Sequence, residues 1–196
     1  MNVAIIQYNA GNICSVVNAF RRLGIEPIVT ADPLKLSQAS HIVFPGQGEA
    51  GTTMAFLREK GLDNVIKSLR QPLLGICIGM QLMCRHSDEE DTDCLGIFDV
   101  DVYRFKPQKH EDKVPQMGWN TIHDLKSPLF NNIDSGCYSY FIHSFYAPVC
   151  PYTIASTEYI LPYSSALHKD NFYATQFHPE KSGKIGEQIL RNFLEI

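Results

Sequence analysis

The feature that most constrains this chain is the segment at residues 72–83, which reads PLLGICIGMQLM. Its first five residues form a short apolar run typical of a buried strand, and the residues from Gly79 onward are good helix formers. Cys77 stands between them, two places after Gly75 and two places before Gly79. This is the spacing of a nucleophile elbow, a strand-to-helix turn too tight for larger neighbours, with sulfur in place of a serine oxygen. The motif alone leaves open an inert buried cysteine between two packing glycines.

The composition is that of a globular protein with neither a nucleic-acid nor a membrane partner. The net charge is -4 and the pI is about 5.9, whereas a nucleic-acid binder would carry a basic surplus. No apolar run approaches the roughly 18 residues of a membrane span, and we expect no signal peptide. The cysteines form no C-x-x-C pair and the histidines have no partner at ligand spacing. We therefore expect reduced thiols, a cytoplasmic location, no metal and no cofactor.

Strand and helix patterns alternate through the first half of the chain. They predict strands at residues 3–8, 27–30, 41–44 and 72–76, and helices at 13–23, 52–57 and 62–69, with a further helix starting at Asp32-Pro33. Such alternation indicates βαβ units. We predict an α/β fold with an open, twisted, mostly parallel sheet and helices on both faces.

The second half of the chain changes character after residue 85. An acidic run at residues 86–93 is expected to be a solvated loop. Short apolar segments then predict an antiparallel, strand-rich second half, with strands at residues 95–98, 100–105, 119–122, 138–146, 152–159, 165–169 and 172–177. The chain closes with an amphipathic helix at residues 182–194. No linker or repeat interrupts the pattern, so we expect residues 1–196 to form a single domain.

A cysteine nucleophile requires a base, and His178 is the best candidate. It directly follows the predicted strand at residues 172–177, and Glu180 lies two places further on, where it can fix the imidazole tautomer. The elbow would place the Cys77 sulfur at the start of a helix, whose free N–H groups favour thiolate over thiol. A solvated His-Pro-Glu turn is the alternative.

Acyl transfer also requires donors for the oxyanion. The segment Pro45-Gly-Gln-Gly48 follows its strand as Cys77 follows its own, so the Gly48 N–H can approach the reacting carbonyl unobstructed. The N–H of Ile78, next to the nucleophile, would be the second donor. Pro-Gly-x-Gly is an ordinary turn in other proteins. Its position favours the functional interpretation, because open α/β sheets bind ligands beyond the carboxyl ends of their strands. Together these residues predict a cysteine acyl transferase or hydrolase with a thioester intermediate, and they leave the acyl donor open.

Three motifs together resemble those of the class I, or triad, glutamine amidotransferases. They are GICIGMQ at residues 75–81, PGQG at 45–48 and QFHPEKS at 176–182, in the order and spacing of that family. Segments at residues 9–13, 114–120, 140–146 and 171–178 further resemble the glutaminase subunits of imidazole glycerol phosphate synthases. The resemblance runs from residue 3 to residue 196 and implies a flavodoxin-like amidotransferase fold.

The resemblance implies a role for each matching residue. Cys77 would attack the side-chain amide of L-glutamine, His178 would act as base and then acid, and Glu180 would orient His178. The segments that hold the glutamine would be provided by Gln81, His143, Ser144 and Phe145. A cyclase subunit, which is a TIM barrel, would form a heterodimer with the chain and receive its ammonia. The face toward it would include Asn12, Trp119, Asn120 and Lys181.

The sequence departs from the family's usual residues at three of these places. Gln47 replaces a frequent valine, Gln116 a frequent histidine and Phe145 a frequent tyrosine. None of the three is a triad residue, so the expected chemistry stands. What they put in question is how tightly glutaminase activity is suppressed without the partner.

Other functions fit parts of the pattern. A free-standing cysteine hydrolase of the same fold, resembling γ-glutamyl hydrolase, would be fully active alone. A glutaminase of another biosynthetic complex would need a different partner. A non-catalytic scaffold would tolerate loss of Cys77, although the complete triad argues against this last alternative.

Overall fold

The computed structural model describes residues 2–8 and 13–196. The strands are Val3–Ile6 (β1), Ile28–Thr30 (β2), His41–Phe44 (β3), Leu73–Ile76 (β4), His86–Ser87 (β5), Thr92–Asp93 (β6), Asp101–Arg104 (β7), Gln116–Ile122 (β8), Cys137–His143 (β9), Phe145–Tyr146 (β10), Thr153–Glu158 (β11), Pro162–Lys169 (β12) and Phe172–Thr175 (β13). The α-helices are Ile13–Arg22 (α1), Pro33–Gln38 (α2), Ala50–Glu59 (α3), Leu62–Ser68 (α4), Ile78–Met83 (α5) and Gly183–Leu194 (α6). Short 3-10 helices occupy Glu89–Asp91, Pro128–Phe130 and Pro179–Lys181.

A seven-stranded sheet organises the molecule, in the order β11-β12-β13-β4-β3-β1-β2. The pairs from β13 across to β2 are all parallel, and β12 and β11 extend the sheet in antiparallel fashion. Two smaller sheets, β10-β7-β5-β6 and β8-β9, account for the other strands. The predicted α/β fold, mostly parallel sheet and strand-rich second half are therefore confirmed.

Alternation along the strands divides the apolar core into two layers. Val3 and Ile5 of β1 pack with α1 and α6 on one face, whereas Ala4 and Ile6 pack with α2, α3, α4 and α5 on the other. Successive side chains of a strand point to opposite faces, so a strand buried on both sides must be apolar throughout. The continuous apolar runs in the sequence reflect this burial, and the prediction of helices on both faces is correct.

A local signal fixes where α2 begins. Asp32 caps α2, since its Oδ1 accepts the N–H of Leu34 at 2.9 Å, and Pro33 occupies the first turn. None of the helices in the described part of the chain combines the length and the apolar character that a membrane crossing requires.

The apolar segment at residues 95–98 is not the predicted strand. The N–H of Leu95 donates to the carbonyl of Leu82 at 2.8 Å, and that of Ile97 to the carbonyl of Met83 at 2.9 Å. In a strand these N–H groups would pair with a neighbouring strand. Here they satisfy the free carbonyls at the end of α5. The side chains of Leu95 and Ile97 are buried. The apolar character of the segment thus reflects its burial, and the strand prediction is wrong.

The acidic run at residues 86–93 forms a small hairpin where a loop was predicted, and Asp88, Glu90, Asp91 and Asp93 are exposed, as expected. Strand β5 pairs antiparallel with β6, and the 3-10 helix Glu89–Asp91 lies between them. The predicted strand at residues 138–146 is also divided, because Ser144 separates β9 from β10. Glu89 of the hairpin and Ser144 both line a cavity.

Candidate active site

Three parallel strands end side by side where the predicted site residues lie. Strands β13, β4 and β3 are neighbours in the sheet, and their register places Thr175 opposite Ile76. The segments that follow them are residues 176–180, the elbow at Cys77 and residues 45–48. They therefore leave the same edge of the sheet together, at the place where α/β sheets bind ligands.

Cys77 has the backbone conformation of a nucleophile elbow. Its φ is 51° and its ψ is -108°, a region that costs a non-glycine residue about 1–3 kcal/mol. Hydrogen bonds on both sides hold it there: the Cys77 N–H donates to the Thr175 carbonyl at 2.7 Å, and its own carbonyl accepts the Gln81 N–H at 3.2 Å. The turn between β4 and α5 is thus fixed by the neighbouring strand β13 as well as by the helix.

Glycines around the elbow are required by close backbone packing. A Cβ atom added to Gly79 would lie 2.3 Å from the carbonyl oxygen of Phe44, and one added to Gly46 would lie 1.8 Å from that of Ile76. No side chain fits at these separations, so α5 presses directly on the end of β3, and the segment at residues 45–48 presses on the end of β4. The steric reason that the sequence suggested for the motif is therefore confirmed.

His178 and Glu180 form a buried pair. The Glu180 carboxylate accepts the Nδ1–H of His178 at 2.7 Å, and the two side chains are 1% and 4% exposed. This bond leaves Nε2 as the imidazole's basic nitrogen, and Nε2 is buried without a hydrogen-bond partner among residues 2–8 and 13–196. Burial by itself lowers the pKa of His178, but attraction to the Cys77 sulfur and the Glu180 carboxylate outweighs it and raises the pKa.

A cavity of about 340 Å³ brings the predicted catalytic and substrate residues together. Cys77 and His178 both line it, and Glu180 lies behind His178. The predicted oxyanion and substrate positions also line it: Gly48, Ile78, Gln81, His143, Ser144 and Phe145. Cys77 and His178, which are 101 positions apart in the sequence, therefore line the same cavity, and its volume suits an amino acid.

The segment at residues 45–48 is tethered from a neighbouring strand. The hydroxyl of Tyr8, just beyond β1, donates to the carbonyl of Pro45, and the Tyr8 ring meets Phe44 edge to face at 5.6 Å. Gly48 has a φ of 143°, which favours glycine, and its backbone borders the pocket. Tyr8 was not among the residues that the sequence singled out, since nothing in an apolar strand marks the hydroxyl as functional.

Glu89 is a second pocket residue that sequence reasoning missed. It lines the cavity, and its Oε2 accepts the N–H of Ala50 at 2.8 Å at the start of α3. Burial raises the pKa of the Glu89 carboxyl. In the sequence Glu89 is one of several acidic residues in a row, and only the hairpin that turns it inward distinguishes it from Glu90, which is exposed.

The predicted partner residues have different settings. Trp119 is 56% exposed on β8 and Met117 on the same strand is 62% exposed, so Trp119 is a surface residue. The side chain of Asn120 is half-buried and donates to the Glu158 carbonyl at 2.9 Å. Lys181 directly follows Glu180 in the 3-10 helix and is half-buried. Asn12 lies outside the described residues.

A family model, glutamine amidotransferase class-I, matches residues 4–196. The chain belongs to the class I glutamine amidotransferases. The nucleophile elbow, the buried His-Glu pair and the α/β sheet are consistent with membership in that family.

Curated relatives narrow the position within the class I glutamine amidotransferases. The chain is 64% identical over 196 residues to the imidazole glycerol phosphate synthase subunit HisH of Bacteroides thetaiotaomicron, covering 100% of both chains. It is 62% identical to that of Bacteroides fragilis, again over 100% of both. Identity to the HisH subunit of Escherichia coli K12 is 44% over 198 residues, also covering 100% of both. The chain thus belongs to the HisH family.

Solved structures agree with the class I amidotransferase fold. A glutamine amidotransferase structure superimposes with a TM-score of 0.73 at 18% identity, covering 99% of this chain and 98% of the other. A glutamine amidotransferase from Thermotoga maritima gives a TM-score of 0.65 at 16% identity, covering 100% and 83%. At such low identity these similarities concern the fold alone.

Proposed function

We propose that this chain is the glutaminase subunit of an imidazole glycerol phosphate synthase, acting in histidine biosynthesis. The observation that carries the proposal is the 64% identity to a HisH subunit over the whole of both chains. The pocket supports it independently, because a cysteine at a strained elbow and a buried His-Glu pair line or adjoin one cavity. Residues 1–196 would act as one amidotransferase domain in the cytoplasm.

The reaction begins with proton transfer from the Cys77 sulfur to Nε2 of His178. The sulfur attacks the side-chain amide carbon of L-glutamine, a C–S bond forms, and the carbonyl oxygen becomes an oxyanion. Backbone N–H groups of Gly48 and Ile78 stabilise this charge. His178 returns the proton to the amide nitrogen, the C–N bond breaks, and ammonia leaves a γ-glutamyl thioester on Cys77. Water, deprotonated by His178, then releases glutamate and restores the thiol.

Glu180 keeps His178 ready for both proton transfers. Its carboxylate holds the Nδ1–H, so the lone pair stays on Nε2 beside the sulfur, and it stabilises the imidazolium that forms during each turnover. The raised pKa of His178 favours the transfer of the Cys77 proton to Nε2. A thiolate is the stronger nucleophile, so this transfer prepares the attack.

Polar groups at the far side of the cavity would hold the α-carbon end of glutamine. The Glu89 carboxylate is the acidic group of the lining and suits the α-ammonium. Gln81 directs its nitrogen into the protein, at 3.0 Å from the Phe145 carbonyl, which leaves its oxygen for the substrate. His143, Ser144 and Phe145 complete this wall.

A cyclase subunit, a TIM barrel, would cover the exposed surface of β8 and receive the ammonia. Ammonia set free in water at neutral pH is protonated and loses its nucleophilicity, so a closed passage preserves its reactivity. Trp119 is an exposed aromatic of the kind that anchors interfaces, and Asn120 and Lys181 would lie in the same contact. The cyclase would use the ammonia to form imidazole glycerol phosphate and aminoimidazole carboxamide ribotide.

Glutaminase assays with and without a purified cyclase and its nucleotide substrate test this proposal. We expect little turnover by the chain alone, a large increase with the cyclase, and complete loss in Cys77→Ala. Cys14→Ala, which removes an exposed cysteine, is the matched control and should keep full activity. Full turnover without the cyclase would instead indicate a free-standing hydrolase. Activation only by a different synthase would indicate another biosynthetic complex.

A further inference from the structure

A chain of buried amides runs beside the pocket and ends on the nucleophile. Gln81 Nε2 lies 3.0 Å from the Phe145 carbonyl oxygen and 3.0 Å from Gln176 Oε1. The other end of the same Gln176 amide, Nε2, lies 3.7 Å from Cys77 Sγ. Gln176 is fully buried and Gln81 is 3% exposed, so water does not compete for these bonds.

The polarity of this chain of amides is fixed at its far end. The Phe145 carbonyl can only accept, so Gln81 must turn its NH₂ group toward it. That NH₂ group uses its second hydrogen on Gln176, which must therefore present its oxygen to Gln81. The amide nitrogen of Gln176 consequently faces the sulfur as a donor and cannot turn round without breaking the bond to Gln81.

His143 holds in place the acceptor on which this polarity depends. Its Nδ1 donates to the same Phe145 carbonyl at 2.7 Å, and its Nε2 lies 3.3 Å from the hydroxyl of Tyr163. Burial lowers the pKa of His143 to about 4, so the ring stays neutral with its hydrogen on Nδ1. The carbonyl is held by two donors, one from each of His143 and Gln81.

We propose that Gln176 is a further catalytic residue, which donates a side-chain N–H to the Cys77 sulfur and thereby stabilises the thiolate. A hydrogen bond to the charged form of a group favours that form, and in a buried site it is not weakened by water. The same bond limits where the sulfur can turn. This role rests on the proposed function of Cys77 as the nucleophile.

The test measures how fast Cys77 is alkylated by iodoacetamide as a function of pH, using the whole chain without partner. Mass spectrometry of the Cys77 peptide separates its reaction from that of the exposed Cys14. Gln176→Met keeps the side chain's length but has no donor, and it should move the alkylation midpoint up by about one pH unit. Below the midpoint, alkylation should be about tenfold slower. The matched control is Gln188→Met, which removes an amide bonded to Asn192 on α6 and should leave the midpoint unchanged.

A second variant guards against misfolding of the first. Gln176→Glu is isosteric, can still accept from Gln81, and presents an oxygen to the sulfur, so its midpoint should rise at least as far. An unchanged or lowered midpoint in either folded variant would overturn the proposal. Should neither fold, the side-chain amide resonances of Gln176 in the unmodified chain should shift when Cys77 ionises, and unmoved resonances would refute it.

The outcomes separate the two claims. If Cys77 in the unmodified chain shows no pH-dependent alkylation while Cys14 reacts, the proposed nucleophile itself fails. If Cys77 reacts as expected and the Gln176 variants behave like the unmodified chain, only the role of Gln176 fails.

Discussion

Replacing Gly79 by alanine tests whether close backbone packing holds the elbow in place. Gly79 is the second residue of α5, where alanine would normally stabilise the helix by up to about 1 kcal/mol. The structure predicts the opposite sign. The added Cβ would lie 2.3 Å from the Phe44 carbonyl oxygen, which is backbone of a central strand and cannot move alone. Overpacking of this kind costs about 1–3 kcal/mol, so the net change should be a loss of up to about 2 kcal/mol.

Gly51 provides a matched control. It is likewise the second residue of its helix, α3, and a Cβ there would lie 2.2 Å from Oε2 of Glu90. Glu90 is exposed and its carboxylate can swing into solvent at little cost. The same substitution with a similar initial contact distance should therefore be neutral or stabilising by up to about 1 kcal/mol. The difference in the free energy of unfolding between the two variants shows how much the cost depends on the rigidity of the atoms that the new methyl group contacts.

Thermal unfolding measures the effect on stability. For a chain of this size, 1 kcal/mol shifts the Tm by about 2–4 °C, so Gly79→Ala should lower the Tm by up to about 8 °C. Gly51→Ala should leave it unchanged or raise it. Cyclase-activated glutaminase activity should fall with Gly79→Ala, because α5 must move relative to β3 and carries Cys77 with it. A Tm for Gly79→Ala at or above that of the unmodified chain would refute the packing argument.

Three further predictions concern the triad, the buried imidazole and the partner face. Glu180→Gln should lower the cyclase-activated kcat about 10²–10⁴-fold with little change in KM, because His178 loses the acceptor that fixes its tautomer, and a loss below tenfold would contradict that role. The pKa of His143 is lowered from 6.5 in the unfolded chain to about 4 in the folded protein, so the folded state favours the neutral imidazole. The stability that neutral His143 contributes is therefore present above pH 6.5 and is lost as the pH falls toward about 4. Urea unfolding should show the unmodified chain losing up to about 3 kcal/mol more than His143→Gln between pH 7 and pH 4, whereas parallel losses would exclude this linkage. Trp119→Ala should weaken cyclase binding, measured by calorimetry, by at least about 2 kcal/mol, or roughly 30-fold, without changing the Tm. The control Leu34→Ala removes another exposed apolar side chain and should leave the affinity for the cyclase intact. Equal losses of affinity in the two variants would argue against this face.

Local sequence rules were sufficient for the sheet and the elbow. Apolar runs identify β1, β3 and β4 because these strands are buried on both faces. The paired glycines identify the elbow because its constraint is steric and acts within a few residues. Local rules do not predict which strands are neighbours. The motifs and the family resemblance predicted that Cys77 and His178 lie in one site, and in the structure they do so because β4 and β13 are adjacent strands of the sheet.

What the sequence could not supply depends on the direction in which a side chain points. Glu89 and Glu90 are adjacent carboxylates, and only the hairpin around them turns the first into the pocket. The hydroxyl of Tyr8 and the amide of Gln176 gain their roles from partners 37 and 99 residues away. At residues 95–98 the sequence was ambiguous in another way. An apolar run is compatible both with a strand and with a buried turn at the end of a helix.

The most direct test of the account is to locate the acyl group during turnover. The chain would be incubated with glutamine and the activated cyclase, quenched in acid, digested and mapped by mass spectrometry. We predict a γ-glutamyl adduct on Cys77, absent from Cys77→Ala and diminished in His178→Ala. An adduct on a different cysteine, such as the exposed Cys14, would contradict the central claim, as would undiminished turnover by the Cys77→Ala variant.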